Sequence, residues 1–256
     1  MPCFTLLLRL TLARVLLEIK KPKNSYIVPM NKSELLKELH EFLNPTRIQR
    51  FEEVLANRTK HFTVAVENVY QSHNASAVIR TCDCFGIQDL YAIEDKNKYV
   101  LQRNIAKGSG RWIDLHRFAN KDTASMDCLN HLREKGYKLV ATSPHVNAYT
   151  PETLPIDNPV ALIFGTERRG ITESIIANAD YHLTIPMYGF TESFNLSVSV
   201  AVILQTLRNR LEKETFPWKL SMEEQRALQI IWSTRILNGG EALEKQFRTA
   251  HLEKEF

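Results

Sequence analysis

Residues 185–204 read IPMYGFTESFNLSVSVAVIL. One apolar run ends at Met187 and another begins at Leu196, with Thr191, Glu192, Ser193 and Asn195 between them. Short side-chain oxygens accept hydrogen bonds from the first free N–H groups of a helix. The cluster therefore predicts a helix N-terminus, with Ser193 and Asn195 as capping candidates, directly after a strand. Ligands on open α/β sheets also bind beyond the carboxyl ends of strands, so the same cluster is a candidate ligand site. The rest of the chain decides how the two readings combine.

Upstream, five short β-rich runs stand out: FTVAVEN, DLYAIE, YKLVATS, PVALIFG and HLTIPM. Between and after them lie helical patterns, NASAVIRTCDCFG, TASMDCLNHLREKG, ITESIIANA and NLSVSVAVILQTLRNRLE. Near-continuous apolar strands alternating with helices predict an α/β fold, a parallel sheet with helices on both faces. KGSG at 107–110 follows no convincing strand and reads as a basic loop.

The ends of the chain are helical. Residues 1–29 are expected to be an upstream extension, because Met30 is followed by NKSELLKELHEFL, where Asn31 and Glu34 form a capping pair. The opening stretch lacks a basic n-region, and Arg9 and Arg14 interrupt its apolar run, which argues against a signal peptide. A second helix is expected from Thr46, with Ile48, Phe51, Val54 and Leu55 on its apolar stripe and Arg47, Arg50 and Arg58 pointing elsewhere. Near the C-terminus, Ser221 and Glu224 make a capping box for a further helix. The expected organisation is a helical region at 30–60, an α/β domain at 61–213 and a C-terminal helical extension at 214–256.

With 256 residues, 44% hydrophobic and 24% charged, the chain suits one large domain with appendages. The net charge of +4 is unevenly placed: residues 1–60 hold eleven Lys/Arg against six Asp/Glu, and residues 96–121 hold seven against one. Both segments suit a polyanion. Four cysteines form no disulfide framework at this size, so a reducing, cytoplasmic setting is expected. Cys82 and Cys84 have no second pair at ligand spacing and read as small core side chains, with no metal implied. No G-x-G-x-x-G follows any strand and no G-x-x-x-x-G-K-[ST] occurs, which counts against a Rossmann dinucleotide site and a P-loop.

Two other loops carry polar residues at strand ends. After the first strand, Asn74 suits an N-cap and Gly86 the residue past a helix end, with Ser76 and Arg80 four apart on one face. After PVALIFG comes TERRG, where Gly165 and Gly170 suit a tight turn or a close approach to a ligand. Taken singly, Asn74 is a cap, Arg80 a solvated charge and Glu167 a turn residue.

In combination, Asn74-x5-Arg80, FGTERRG and IPMYGFTESFNLSVSVAVIL resemble the three signature motifs of the SpoU/TrmH family, RNA 2′-O-ribose methyltransferases of the SPOUT class. The likeness runs from about Arg47 to Arg210. It implies a deep trefoil knot near the C-terminal end of the domain, a homodimer, and S-adenosylmethionine as methyl donor. It assigns Asn74, Arg80, Glu167, Ser193 and Asn195 to catalytic or site-building positions, and Thr142, Gly165, Ile185, Met187 and Leu196 to the surroundings of the donor. Arg50, Arg208 and Arg210 match positions that handle tRNA. Phe194 stands where Leu is usual, and Glu192 replaces a frequent Gln. The short basic helical region before the domain and the helix beyond Arg210 are most similar to members that methylate guanosine 18 in the tRNA D-loop. Methylation of ribosomal RNA or another tRNA position, a catalytically inactive RNA-binding relative, and an α/β oxidoreductase are the alternatives.

Overall fold

The computed structural model describes residues 31–143, 148–166 and 170–254. The upstream extension, Met30 and Glu167 lie outside the described residues.

Six parallel strands form one sheet: β1 (Phe62–Glu67), β2 (Asp89–Ile93), β3 (Asp114–Phe118), β4 (Lys138–Thr142), β5 (Val160–Phe164) and β6 (Tyr181–Leu183). They lie in the order β3-β2-β1-β5-β4-β6, every pair parallel. The five expected strands are present, and β3 is the addition. Its sequence, DLHRF, is partly exposed along its length and sits in the basic stretch, so it lacks the apolar run that marks a central strand. The run HLTIPM forms a strand only as far as Leu183; Pro186 has no N–H for a ladder. KGSG is ordered differently from the expected loop, with Ser109–Arg111 in a 3-10 turn.

The central strands show why both faces are covered. In β1, Phe62, Val64 and Val66 point into one core and Ala65 into the other; in β5, Val160, Leu162 and Phe164 do the same opposite Ala161 and Ile163. Helices α3 (Ser72–Cys84) and α7 (Leu196–Leu211) cover the first face, through Val78, Ile79, Ile203 and Leu207. Helices α5 (Ala124–Glu134) and α6 (Glu173–Asn178) cover the second, through Leu129, Leu132 and Ile175. The short α4 (Arg103–Ala106) lies against α3.

The terminal helices pack on one another. Helices α1 (Lys32–His40) and α2 (Pro45–Leu55) meet α8 (Met222–Ile236) and α9 (Gly240–Lys254). Leu35 and Leu39 of α1 contact Ile230, while Phe51, Trp112 and Trp232 form a triangle of rings with centroids 5.5–5.8 Å apart. Asn31 caps α1 by accepting from the Ser33 N–H, and both bonds of the Ser221–Glu224 box are present.

Four local expectations are corrected. Helix α2 starts at Pro45 with Asn44 as its cap, not at Thr46, because proline suits the first helical position. Helix α3 starts at Ser72, which puts Asn74 inside its first turn, not at the cap. Cys84 is exposed, whereas Cys82 is buried. Arg58 does not face solvent: its side chain is 1% exposed, ion-paired with Asp83, donates to the Ile87 carbonyl at 2.8 Å and lies 5.4 Å from the Trp232 ring centroid. Burial pushes its guanidinium pKa down, and Asp83 opposes that shift. A buried cation so held joins α2, α3 and α8. Arg58→Met strands a partly exposed Asp83 and loses the Ile87 bond; it is expected to lower unfolding free energy by about 2–3 kcal/mol. Urea unfolding checks this, with a lower midpoint at an unchanged slope.

Candidate active site

A cavity of about 730 Å³ opens where β4, β5 and β6 end. Strand β4 contributes Thr142, whose hydroxyl donates to the Ile163 carbonyl of the neighbouring strand at 2.9 Å and is thereby fixed. Beyond β5, Gly165 lines the cavity where the chain doubles back. Thr166 and Gly170 exchange two backbone hydrogen bonds of 2.9 and 3.0 Å. A Cβ on Gly165 would stand 2.1 Å from the Gly170 carbonyl carbon, so glycine is demanded by close backbone approach. Beyond β6 come Ile185 and Met187, then Glu192 to Leu196 as the chain turns into α7.

Asn195 closes this turn. Its Oδ1 accepts from the Ser197 N–H at 2.9 Å and the Ser197 hydroxyl at 2.8 Å, capping α7. Its Nδ2 donates to Asn74 Oδ1 at 3.1 Å. Asn74 is 2% exposed and in turn donates to Gln71, a cavity-lining residue, at 3.3 Å. The first and third polar loops are thus joined by one carboxamide pair. Ser193 lines the cavity but does not cap the helix.

All five residues expected around a donor, Thr142, Gly165, Ile185, Met187 and Leu196, line this one cavity, together with Ser193 and Asn195. Arg80 does not line it. It is exposed on α3, six residues and roughly 9 Å of helix beyond Asn74. Glu167 belongs to the undescribed part of the β5 loop. Of the three basic residues, Arg50 has a 69% exposed side chain, paired with Glu53 at 3.0 Å. Arg208 lies 4.6 Å from the Trp218 ring centroid and donates to the Asn57 carbonyl and Glu212. Arg210 donates to the carbonyls of Pro151 and Leu154 at 2.6 and 2.7 Å. Arg50 and Arg208 share a second cleft with Arg58 and Asp83; Arg210 is outside it.

Sequence reasoning missed Gln71, Ser143, Glu173 and Ser199 of the lining. Gln71 and Ser143 each stand in the loop after a strand, the position that marks such residues in an open sheet. Glu173 and Ser199 are helical residues with no motif to mark them. Also missed was Glu67, a carboxylate 1% exposed at the end of β1.

These features define a parallel α/β protein with a cavity built by loops at the carboxyl ends of three adjacent strands, and no phosphate-binding glycine loop. The chain belongs to the SpoU rRNA Methylase family, whose model matches residues 61–205. A Borreliella burgdorferi protein named tRNA (guanosine(18)-2′-O)-methyltransferase is 36% identical over 206 residues, covering 80% of this chain and 93% of that protein. The crystal structure of the A. aeolicus TrmH/SpoU tRNA modifying enzyme superposes with a TM-score of 0.68 at 29% identity, over 75% of this chain and 98% of that one. An AdoMet-bound rRNA methyltransferase from Sinorhizobium meliloti shares the fold, with a TM-score of 0.53 at 23% identity over 60% of this chain and 58% of that one.

Gly165→Ala tests the close approach. The added methyl must displace the Thr166–Gly170 turn that borders the cavity, and S-adenosylmethionine affinity is expected to fall by about tenfold or more, equivalent to about 1.4 kcal/mol. Isothermal titration calorimetry reads the loss, and circular dichroism checks that the fold is retained.

Proposed function

We propose that the chain transfers a methyl group from S-adenosylmethionine to a tRNA ribose, that of guanosine 18 in the D-loop. The observation that carries this reading is the meeting of all five donor-associated positions in one cavity, in a chain so similar to proteins named for that reaction. The lining suits the donor. Phe164, Ile171, Ile176 and Ile203 offer apolar surface, and Ser193, Glu173 and Glu192 offer polar groups. Among the described residues, the backbone N–H groups of Ile185 and Met187 make no hydrogen bond, which leaves them for an adenine edge.

When bound, the donor supplies an electrophilic methyl group. The bond from sulfur to carbon breaks, the bond from the ribose oxygen to carbon forms, and the 2′-hydroxyl proton leaves to solvent. The protein's task is alignment and charge stabilisation, because a 2′-hydroxyl is a weak nucleophile at neutral pH. Asn195 and Asn74 hold the two walls together, and Ser193 offers a hydroxyl at the mouth. Arginine stays protonated, so Arg80 acts by stabilising the developing alkoxide and gripping the adjacent phosphate, not as a base. Glu167 orients it or a neighbouring group.

Arg80 lies away from its own chain's cavity, which supports a homodimer in which it serves the partner subunit's cavity. Exposed Phe194, just before α7, and Val198 and Val202 on it give that dimer an apolar face. The chain from β4 to α7, whose loops build the cavity, is the segment proposed to carry the trefoil knot. The helices of residues 30–60 and 214–256 are proposed as the RNA-binding additions to the methyltransferase domain at 61–213, with Arg50 toward tRNA, while Arg208 and Arg210 already hold protein groups. No described helix is long and apolar enough to cross a membrane; the proposed setting is the cytoplasm.

Arg80→Ala is expected to lower transfer by about 10²–10³-fold while donor affinity stays within about twofold. Methyl incorporation into tRNA, paired with donor titration, separates the two. In cells, nucleoside mass spectrometry of tRNA from a deletion strain is expected to show loss of 2′-O-methylguanosine at position 18; an unchanged level, with loss from ribosomal RNA instead, assigns the other substrate.

A further inference from the structure

Glu67 ends β1, and its carboxylate is buried between the sheet and the α5–α6 layer. Oε2 accepts from the backbone N–H of Thr172 at 3.0 Å, and Oε1 accepts from the Ser125 hydroxyl at 3.4 Å. Among the described residues no Lys, Arg or His pairs with it. A buried carboxylate is costly unless its oxygens are hydrogen-bonded, and here the two donors supply those bonds. What it holds is informative. Thr172 immediately follows Gly170 and Ile171 and precedes Glu173, and these three line the cavity. The Thr172 side chain makes no capping bond to α6, so its backbone N–H is the group that fastens this wall to β1.

We propose that Glu67 is a positioning residue for the donor cavity. Its carboxylate sets where the Gly170–Glu173 wall stands, and donor affinity, more than the transfer step, depends on it. Glu67 neither lines the cavity nor reaches the reacting atoms; it acts through the Thr172 amide. The inference rests on reading the cavity as the donor site.

Four variants test it. Glu67→Ala removes the acceptor, whereas Glu67→Gln keeps an oxygen able to accept from the Thr172 N–H. Thr172→Pro removes the N–H at a residue whose φ of −66° proline adopts without strain. Thr172→Ala keeps the N–H and controls for the lost hydroxyl. Donor affinity by calorimetry, donor KM and kcat with tRNA, and melting temperature are measured for each.

Glu67→Ala and Thr172→Pro are expected to raise donor Kd and KM by about tenfold, the scale of a hydrogen bond to a charged group. In both, kcat stays within about twofold of wild type. Glu67→Gln and Thr172→Ala stay near wild type, and the double variant Glu67→Ala/Thr172→Pro is no worse than either single one, because both remove the same bond. Lower melting temperatures with unchanged donor affinity overturn the proposal, leaving a structural residue. A fall in kcat at unchanged KM for Glu67→Gln also overturns it, in favour of direct participation. If Glu67→Ala fails to fold, the contrast between Thr172→Pro and Thr172→Ala decides on the same criteria. A wild-type protein that binds no donor defeats the reading of the cavity itself, which is a different result from wild-type binding that all four variants share.

Discussion

The carboxamide of Asn195 is the constraint on which the site depends. Its oxygen caps α7 and its nitrogen reaches Asn74, so one side chain ends a loop, starts a helix and ties both to the helix that follows β1. Few side chains can do all three. Aspartate lacks the donor, and serine is too short to span from the α7 cap to α3. Because Asn74 is buried inside the first turn of α3, changing Asn195 would remove one hydrogen bond from a buried carboxamide, and such losses are expensive. The cap and the link are therefore one object: the turn that encloses the cavity cannot move without unmaking a helix start.

This dual role explains what was legible in the sequence. Side-chain type marks both a helix cap and a ligand site at Asn195, and the structure supplies both uses at once. The four inner strands, β2, β1, β5 and β4, were readable because they are largely buried on both faces and so are nearly uniform in polarity, and the edge strand β6 was readable from its apolar run HLTIPM. Edge strand β3 was not, since one-sided burial lets DLHRF carry Asp114, His116 and Arg117. Asn74 shows the limit of local rules. An asparagine before a helical pattern reads as a cap, but the helix begins three residues earlier, with Gln71 in the extended cap geometry, and the Asn then serves a partner 121 residues away. Glu67 left no signal either, because an acidic residue at a strand end is ordinary until its burial is seen.

The same limit applies to charge. Arg58 reads as one more basic residue beside Arg47 and Arg50, yet it sits between α2, α3 and α8, against Asp83 and Trp232. Spacing on α2 could not reveal this, because Arg58 follows the last residue of that helix, Leu55, and its direction is set by the turn into β1. Two additions distant in sequence, one before the domain and one after it, are made into a single helical layer by this cation and the Phe51–Trp112–Trp232 rings.

Which basic groups remain for a polyanion follows from what they already hold. Arg210 gives two hydrogen bonds to backbone carbonyls, so a phosphate would have to strand both carbonyls to engage those donors, and the exchange gains little. Arg208 is stacked on Trp218 and bound to Asn57 and Glu212. Arg50 is more open, being engaged by one exposed carboxylate in a pair of low value. Five further open cations lie in the 96–121 stretch, where Lys96, Lys98, Arg103, Lys107 and Arg111 are all exposed. That stretch is fastened alongside α3 by the Tyr99 hydroxyl on the Ala75 carbonyl at 2.5 Å and by the Gln102 N–H on the Ser76 hydroxyl at 2.7 Å. Helix α3 carries Arg80 on its exposed side. On the proposed reading, the phosphate-binding surface and the group that steadies the developing alkoxide are therefore built on one helix, and Ser76, four residues before Arg80, is the hydroxyl that keeps them in register.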